Sequence, residues 1–240
     1  MIEQRTLKIV RRSLKGRIEN MIIHNIKAII FDIDGTLINR KEAFLKLCNY
    51  LIDKYGEEYP YPCSKEELID LLVEIDANGY GGLQNVIPKL SKIWKLPLSI
   101  EGFIKERNEI FGKLTTPFPE MREVLDALKG KYKLGVITNG YSKVQREKIS
   151  TVGIEECFDD IIVSGEEAFE KPDPRIFLLS CEHLGVKPEE AIYIGDYYSN
   201  DIAGAISAKI MPIWISENPK EHEEYKGIRV TRLIEILSYL

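Results

Sequence analysis

Five short apolar runs limit what this chain can fold into: "KAIIFDID" (27–34), "KLGVITNG" (133–140), "DIIVSGE" (160–166), "AIYIGD" (191–196) and "MPIWIS" (211–216). Each is rich in β-branched residues and apolar at nearly every position rather than at alternate ones, the pattern of a strand covered on both faces. Helix-like segments lie between them. "EMREVLDALKG" (120–130) carries Gly130 at its end, "SKVQREKISTVG" (142–153) has Ser142 as its cap and stops at Gly153, and "DPRIFLLSCEHLG" (173–185) stops at Gly185. Strands that alternate with helices in this way predict βαβ units, hence an α/β fold with a mainly parallel sheet between helical layers.

Residues 41–114 break the alternation. "KEAFLKLCNYLIDKYG" (41–56), "SKEELIDLLVEID" (64–76), "LQNVIPKLSKIW" (83–94) and "IEGFIKERNEIFG" (100–112) all read as helices. At about 70 residues this stretch is too long for an ordinary crossover, so it predicts a small all-helical insert above the carboxyl end of the first strand. Inside it, "DANGYGG" (76–82) interrupts the helical pattern with three glycines. Two readings stand: a plain interhelical turn, or a loop that dips toward the sheet with Asn78 hydrogen-bonding and Tyr80 stacking on a bound molecule.

In open parallel sheets the reactive crevice lies at the carboxyl ends of the strands. Polar residues gather there from four separate runs: Asp32, Asp34 and Thr36; Thr138, Asn139 and Gly140; Lys171 in "EKPDP"; and Asp196, Asn200 and Asp201 in "GDYYSND". Each group alone is ordinary turn chemistry, but all four follow a buried strand pattern. Several carboxylates converging with one lysine repel one another and need a compensating cation, for which a hard, oxygen-liganded ion such as Mg²⁺ is suited.

The 240 residues carry a net charge of −5, which gives no general attraction to nucleic acid, and no run reaches the length of a membrane span. Residues 1–20 depart from this balance, with net +4 against −9 for the remainder. They form a basic N-terminal extension (1–25) in which Met21, directly before the first strand run, is a candidate initiator. Cys48, Cys63, Cys157 and Cys181 show no metal-ligand spacing, which points to reduced thiols and a cytoplasmic location.

The order "DIDGT", "TNG", a lysine before "PDP", and "GDYYSND" is similar to the four signature motifs of the haloacid dehalogenase-like hydrolase superfamily, in its phosphatase branch with a helical cap inserted after the first motif. The resemblance covers residues 26–216. It implies a Rossmann-like three-layer α/β/α core formed by 26–40 and 115–240, and a helical cap domain formed by 41–114. It further implies a Mg²⁺-dependent phosphatase acting on a small soluble phosphate monoester, a monomer or homodimer with no nucleic-acid or membrane partner. In that pattern Asp32 is the nucleophile that becomes an aspartyl-phosphate, and Asp34 is the acid and then the base. Thr138, Asn139, Gly140 and Lys171 hold the phosphoryl group; Asp32, Asp34 through its backbone carbonyl, Asp196 and Asp201 serve the metal. Asp34 also separates phosphatases from dehalogenases, which usually lack an aspartate there. A phosphomutase of the β-phosphoglucomutase type, a phosphoacceptor switch and a binding protein remain as alternatives. One position departs from the pattern: Lys209 stands where relatives often have glycine at a helix end.

Overall fold

In the computed structural model, residues 25–79, 81, 83–96, 99–218 and 220–240 are described. The basic extension and Met21 lie outside these residues. All five apolar runs form strands: β1 (Ala28–Phe31), β2 (Lys133–Thr138), β3 (Asp160–Val163), β4 (Ala191–Gly195) and β5 (Met211–Ile215). A sixth, β6 (Ile228–Val230), joins them at the edge, and at three residues it is too short to stand out as an apolar run. Every pairing is parallel, and the strand order is β3-β2-β1-β4-β5-β6. The order reverses beside β1, where Phe31 is in register with Val136 on one side and Ile194 on the other. The residues that follow β1, β2 and β4 therefore emerge at one level, at a topological switch point.

Both sheet faces are covered, as continuous apolarity requires. Ile29, Phe31, Leu134, Val136, Ile192 and Ile194 pack with α5 (Met121–Leu128) and the final 3₁₀ turn (Leu233–Ser238). Ala28, Ile30, Ile137 and Tyr193 face α7 (Pro174–Leu184) and α8 (Ala203–Ser207). The period-two alternation along each strand thus feeds two separate cores.

Between β1 and β2 come α1 (Arg40–Tyr55), α2 (Lys65–Asp76), α3 (Leu83–Ile93) and α4 (Ile100–Ile110). They share an apolar cluster of their own, with Leu47, Leu68, Leu72, Trp94, Phe103 and Phe111 at its centre, which reaches the rest of the molecule through Val144 of α6 (Ser142–Val152). Ser64 and Glu67 close a reciprocal cap at the start of α2.

Two local expectations resolve differently. Ser142 is the first residue of α6 and not its cap, because its hydroxyl is taken by Glu166 from the turn after β3. Lys209 does adopt the left-handed backbone, at φ +62°, with a side chain where glycine would be comfortable. No helix among the described residues is long and apolar enough to cross a membrane.

Candidate active site

The first turn is built by backbone constraint. Asp32 extends the β1–β4 ladder by one bond, its amide donating to Ile194 O at 2.8 Å. The chain then folds back so tightly that Leu37 and Ile38 both donate to Ile33 O at 3.0 Å. Gly35 takes φ +86°, and a Cβ there would stand 2.1 Å from Asp196 Oδ2. This glycine is what lets the Asp32–Asp34 turn lie against the carboxylate that follows β4.

Lys171 is the hub of the site. Its ammonium donates to Asp32 Oδ1 at 2.6 Å, Asp201 Oδ1 at 2.8 Å and the Tyr193 hydroxyl at 2.9 Å, and all four side chains are buried. Asn139 pins the lysine's backbone from both sides, donating to Lys171 O at 2.8 Å and accepting from Lys171 N at 2.9 Å. Asp201 lies on a π-helical turn (Tyr198–Ile202), where its second oxygen accepts from Tyr197 N at 2.9 Å. Trp214 Nε1 donates to Asp196 O at 2.8 Å and fixes the backbone after β4.

Asp32, Asp196 and Asp201 offer carboxylate oxygens within 4.8 Å of one another. Burial pushes the Asp32 carboxyl up, Lys171 opposes this, and the charges of Asp201 and Asp34 add to it. Burial also lifts Asp196 far above the carboxylate range, with Asp32 and Asp201 contributing. Lys171 moves the other way: burial disfavours its charge, but Asp201 and Asp32 outweigh that and hold it as ammonium. One lysine does not neutralise this cluster, and Asp196 Oδ1 is buried with no hydrogen-bond partner. Such an all-oxygen donor set fits a hard divalent cation.

Asp34 faces a different neighbour. Lys148 donates to both of its oxygens, at 2.7 and 2.6 Å, and Gln145 adds a third bond at 3.0 Å. Burial alone would raise the Asp34 carboxyl, but the charges of Lys148 and Arg40 outweigh it and the net direction is down. The same Gln145 amide reaches Thr138 Oγ1 and Asn139 O, tying the end of β2 to Asp34. The Gly140 amide is engaged by Ser164 Oγ at 3.1 Å.

A cavity of about 630 Å³ opens over these groups, bordered by Asp32, Asp34, Thr138 and Lys171 below and by Arg107 and Asn78 from the helical insert. Arg107 rests on the Phe111 ring, 4.5 Å from its centroid, and burial lowers its guanidinium from the usual value. Asn78 lies in a turn where Ala77, Asn78 and Gly79 all have positive φ. Tyr80 lies outside the described residues. Of the residues singled out in the sequence, Asp32, Asp34, Thr138, Asn139, Gly140, Lys171, Asn200, Asp201 and Asn78 border this cavity, and Asp196 stands behind Gly35 at the wall of a neighbouring one.

Sequence reading missed Lys148, Gln145, Tyr193 and the bidentate pair of Arg40 with Asp76, at 2.6 and 3.1 Å. A signal existed for the first two. Gln145 and Lys148 are three apart on α6 and share its buried side with Val144 and Ile149, where polar groups need a reason.

The chain matches the model of the haloacid dehalogenase-like hydrolase family over residues 29–215. It is 36% identical to a glyceraldehyde 3-phosphate phosphatase of Methanothermobacter thermautotrophicus, over 88% of this chain and 96% of that one. With human N-acylneuraminate-9-phosphatase it shares 27% identity over 82% of this chain and 86% of the other. Among solved structures, a putative β-phosphoglucomutase from Thermotoga maritima superposes with a TM-score of 0.73 at 26% identity, covering 88% of this chain and 97% of that one.

Proposed function

The chain belongs to the haloacid dehalogenase-like hydrolase family, and from that premise we propose that it is a Mg²⁺-dependent phosphatase of a small phosphate ester, working through an aspartyl-phosphate on Asp32. The observation that carries this reading is the buried ammonium of Lys171 shared between Asp32 and Asp201, beside Asp196, at the edge of the cavity. An anionic nucleophile approaches an anionic phosphoryl group only where cations cancel the repulsion, and here one is built in.

Asp32 attacks phosphorus, and the ester oxygen leaves with a proton from Asp34. Asp34 then takes a proton from the water that attacks the aspartyl-phosphate, which releases phosphate and restores Asp32. Thr138 and the Asn139 amide hold phosphoryl oxygens, Gly140, whose own amide is held by Ser164, shapes the turn beside them, and Lys171 opposes the burial that disfavours the Asp32 anion. Asp32, Asp196 and Asp201, with the Asp34 carbonyl, would hold Mg²⁺. When bound, the ion withdraws charge from the phosphoryl oxygens.

Residues 41–114 act as the cap and 26–40 with 115–240 as the core. The wall that the cap supplies carries Arg107 and Asn78, with Arg40 beside them at the core's junction with the cap, a polar lining suited to a small oxygen-rich leaving group, which Asn78 contacts. Tyr80 is proposed to join it. Glyceraldehyde 3-phosphate, for which the 36% identical relative is named, is the first candidate substrate. Four free thiols support a cytoplasmic location, with a small-molecule partner, as monomer or homodimer.

The test is phosphate release from a panel of phosphate esters with and without Mg²⁺, for the wild type and Asp32→Asn. The reading requires release that needs the metal and is abolished in the variant. Conversion of a sugar phosphate to its isomer without free phosphate would favour the mutase instead.

A further inference from the structure

We propose that Lys148, with Gln145, is a positioning residue that seats Asp34 as the carboxylate acting as base in the second half of the reaction. This inference rests on the acid/base role given to Asp34 above and goes beyond it by naming what sets that residue's orientation.

Three observations lead there. Lys148 lies on α6, 3% exposed, and spends its ammonium on both Asp34 oxygens, at 2.7 and 2.6 Å. A carboxylate gripped through both oxygens by one ammonium has its plane and its reach into the cavity fixed. Gln145 binds the same carboxylate and also Thr138 Oγ1 and Asn139 O, so the seat is in register with the turn after β2. The Phe111 ring lies 5.1 Å from Lys148 Nζ and packs against the ammonium. Lys148 borders the cavity beside Asp34, with Arg40 and Arg107 as the other charged groups facing its ammonium.

The step is balanced on these atoms. After the ester P–O bond breaks and the leaving oxygen has taken its proton, Asp34 is an anion and pairs with Lys148. In that seat it accepts a proton from water as the water oxygen bonds to phosphorus and the bond from phosphorus to the Asp32 oxygen breaks. The proton that Asp34 has accepted goes to the leaving oxygen of the next ester.

The test is rapid-quench kinetics of Lys148→Met with p-nitrophenyl phosphate and Mg²⁺, because an aryl leaving group departs without help from an acid. The expected result is a burst of p-nitrophenol equal to the enzyme, then a steady-state kcat about 100-fold below wild type, with KM lowered in parallel and kcat/KM nearly unchanged. Lys148→Arg, which keeps a cation at the seat, recovers part of kcat. A fall in kcat/KM as large as that in kcat, without a burst, would overturn the proposal and make Lys148 a binding or packing residue. If Lys148→Met does not fold, Gln145→Leu carries the test with the same two outcomes. Turnover by Asp32→Asn in the same assay would count against the phosphatase mechanism itself, independently of Lys148.

Discussion

At the level of single residues, the site depends on contacts that leave no room for change. Gly35 combines φ +86° with a position from which a Cβ would meet Asp196 Oδ2 at 2.1 Å. Gly35→Ala is expected to fold, to keep its far-ultraviolet circular dichroism, and to lose about 100-fold in kcat/KM as the Asp32 turn is displaced. Asp196 supports a prediction with opposite signs for stability and binding. Its carboxyl is buried against Asp32 and Asp201, so Asp196→Asn should raise the melting temperature of the metal-free protein. The variant should also lose the stabilisation that Mg²⁺ gives the wild type, which amounts to about 2.7 kcal/mol of unfolding free energy at a hundredfold excess over Kd. Melting curves with and without Mg²⁺ check both parts, and an Mg²⁺ response that persists in the variant would remove Asp196 from the metal's donors. At this scale the sequence was informative where residues follow a strand: Asp32, Thr138, Lys171 and Asp201 all border the cavity. It was silent on Tyr193, an apolar-looking strand residue whose hydroxyl happens to reach Lys171.

The elements show where local pattern suffices and where it does not. Strands covered on both faces announce themselves by continuous apolarity, and glycine marks the ends of α6 and α7, where Gly153 and Gly185 have φ +66° and +69°. Contacts between elements are invisible in that pattern. Arg40 at the start of α1 and Asp76 at the end of α2 are 36 residues apart, yet they form a buried bidentate pair. Gly79 packs so closely on the Arg40 guanidinium that a Cβ would stand 2.7 Å from it. The pair therefore anchors the turn that carries Asn78. Asp76→Ala leaves Arg40 with a buried charge stripped of this partner, and is expected to cost about 3–5 kcal/mol in urea unfolding. A cost below ~1 kcal/mol would show that water or another group compensates the arginine. The same reasoning explains Ser142: its position at a helix start suggested a cap, but Glu166, from another element, takes the hydroxyl.

Across the whole molecule, the strand order β3-β2-β1-β4-β5-β6 turns four distant segments into one site. The sequence predicts parallel strands and an insert after the first, whereas the neighbours of each strand follow from three-dimensional packing alone. With β1 central, its carboxyl end receives Lys171 from beyond β3 and Asp196 and Asp201 from beyond β4, and Asn78 and Arg107 from the helical stretch between β1 and β2 border the same cavity. If Asp32 is the nucleophile, it is phosphorylated in turnover. Turnover of glyceraldehyde 3-phosphate with Mg²⁺ is quenched in acid and the protein is reduced with borohydride, which converts an aspartyl-phosphate to homoserine. The peptide spanning residues 28–40 is then sequenced by mass spectrometry. Homoserine is expected at position 32, dependent on both substrate and Mg²⁺; homoserine at another carboxylate, or none while phosphate is being released, would rule out Asp32 as the nucleophile.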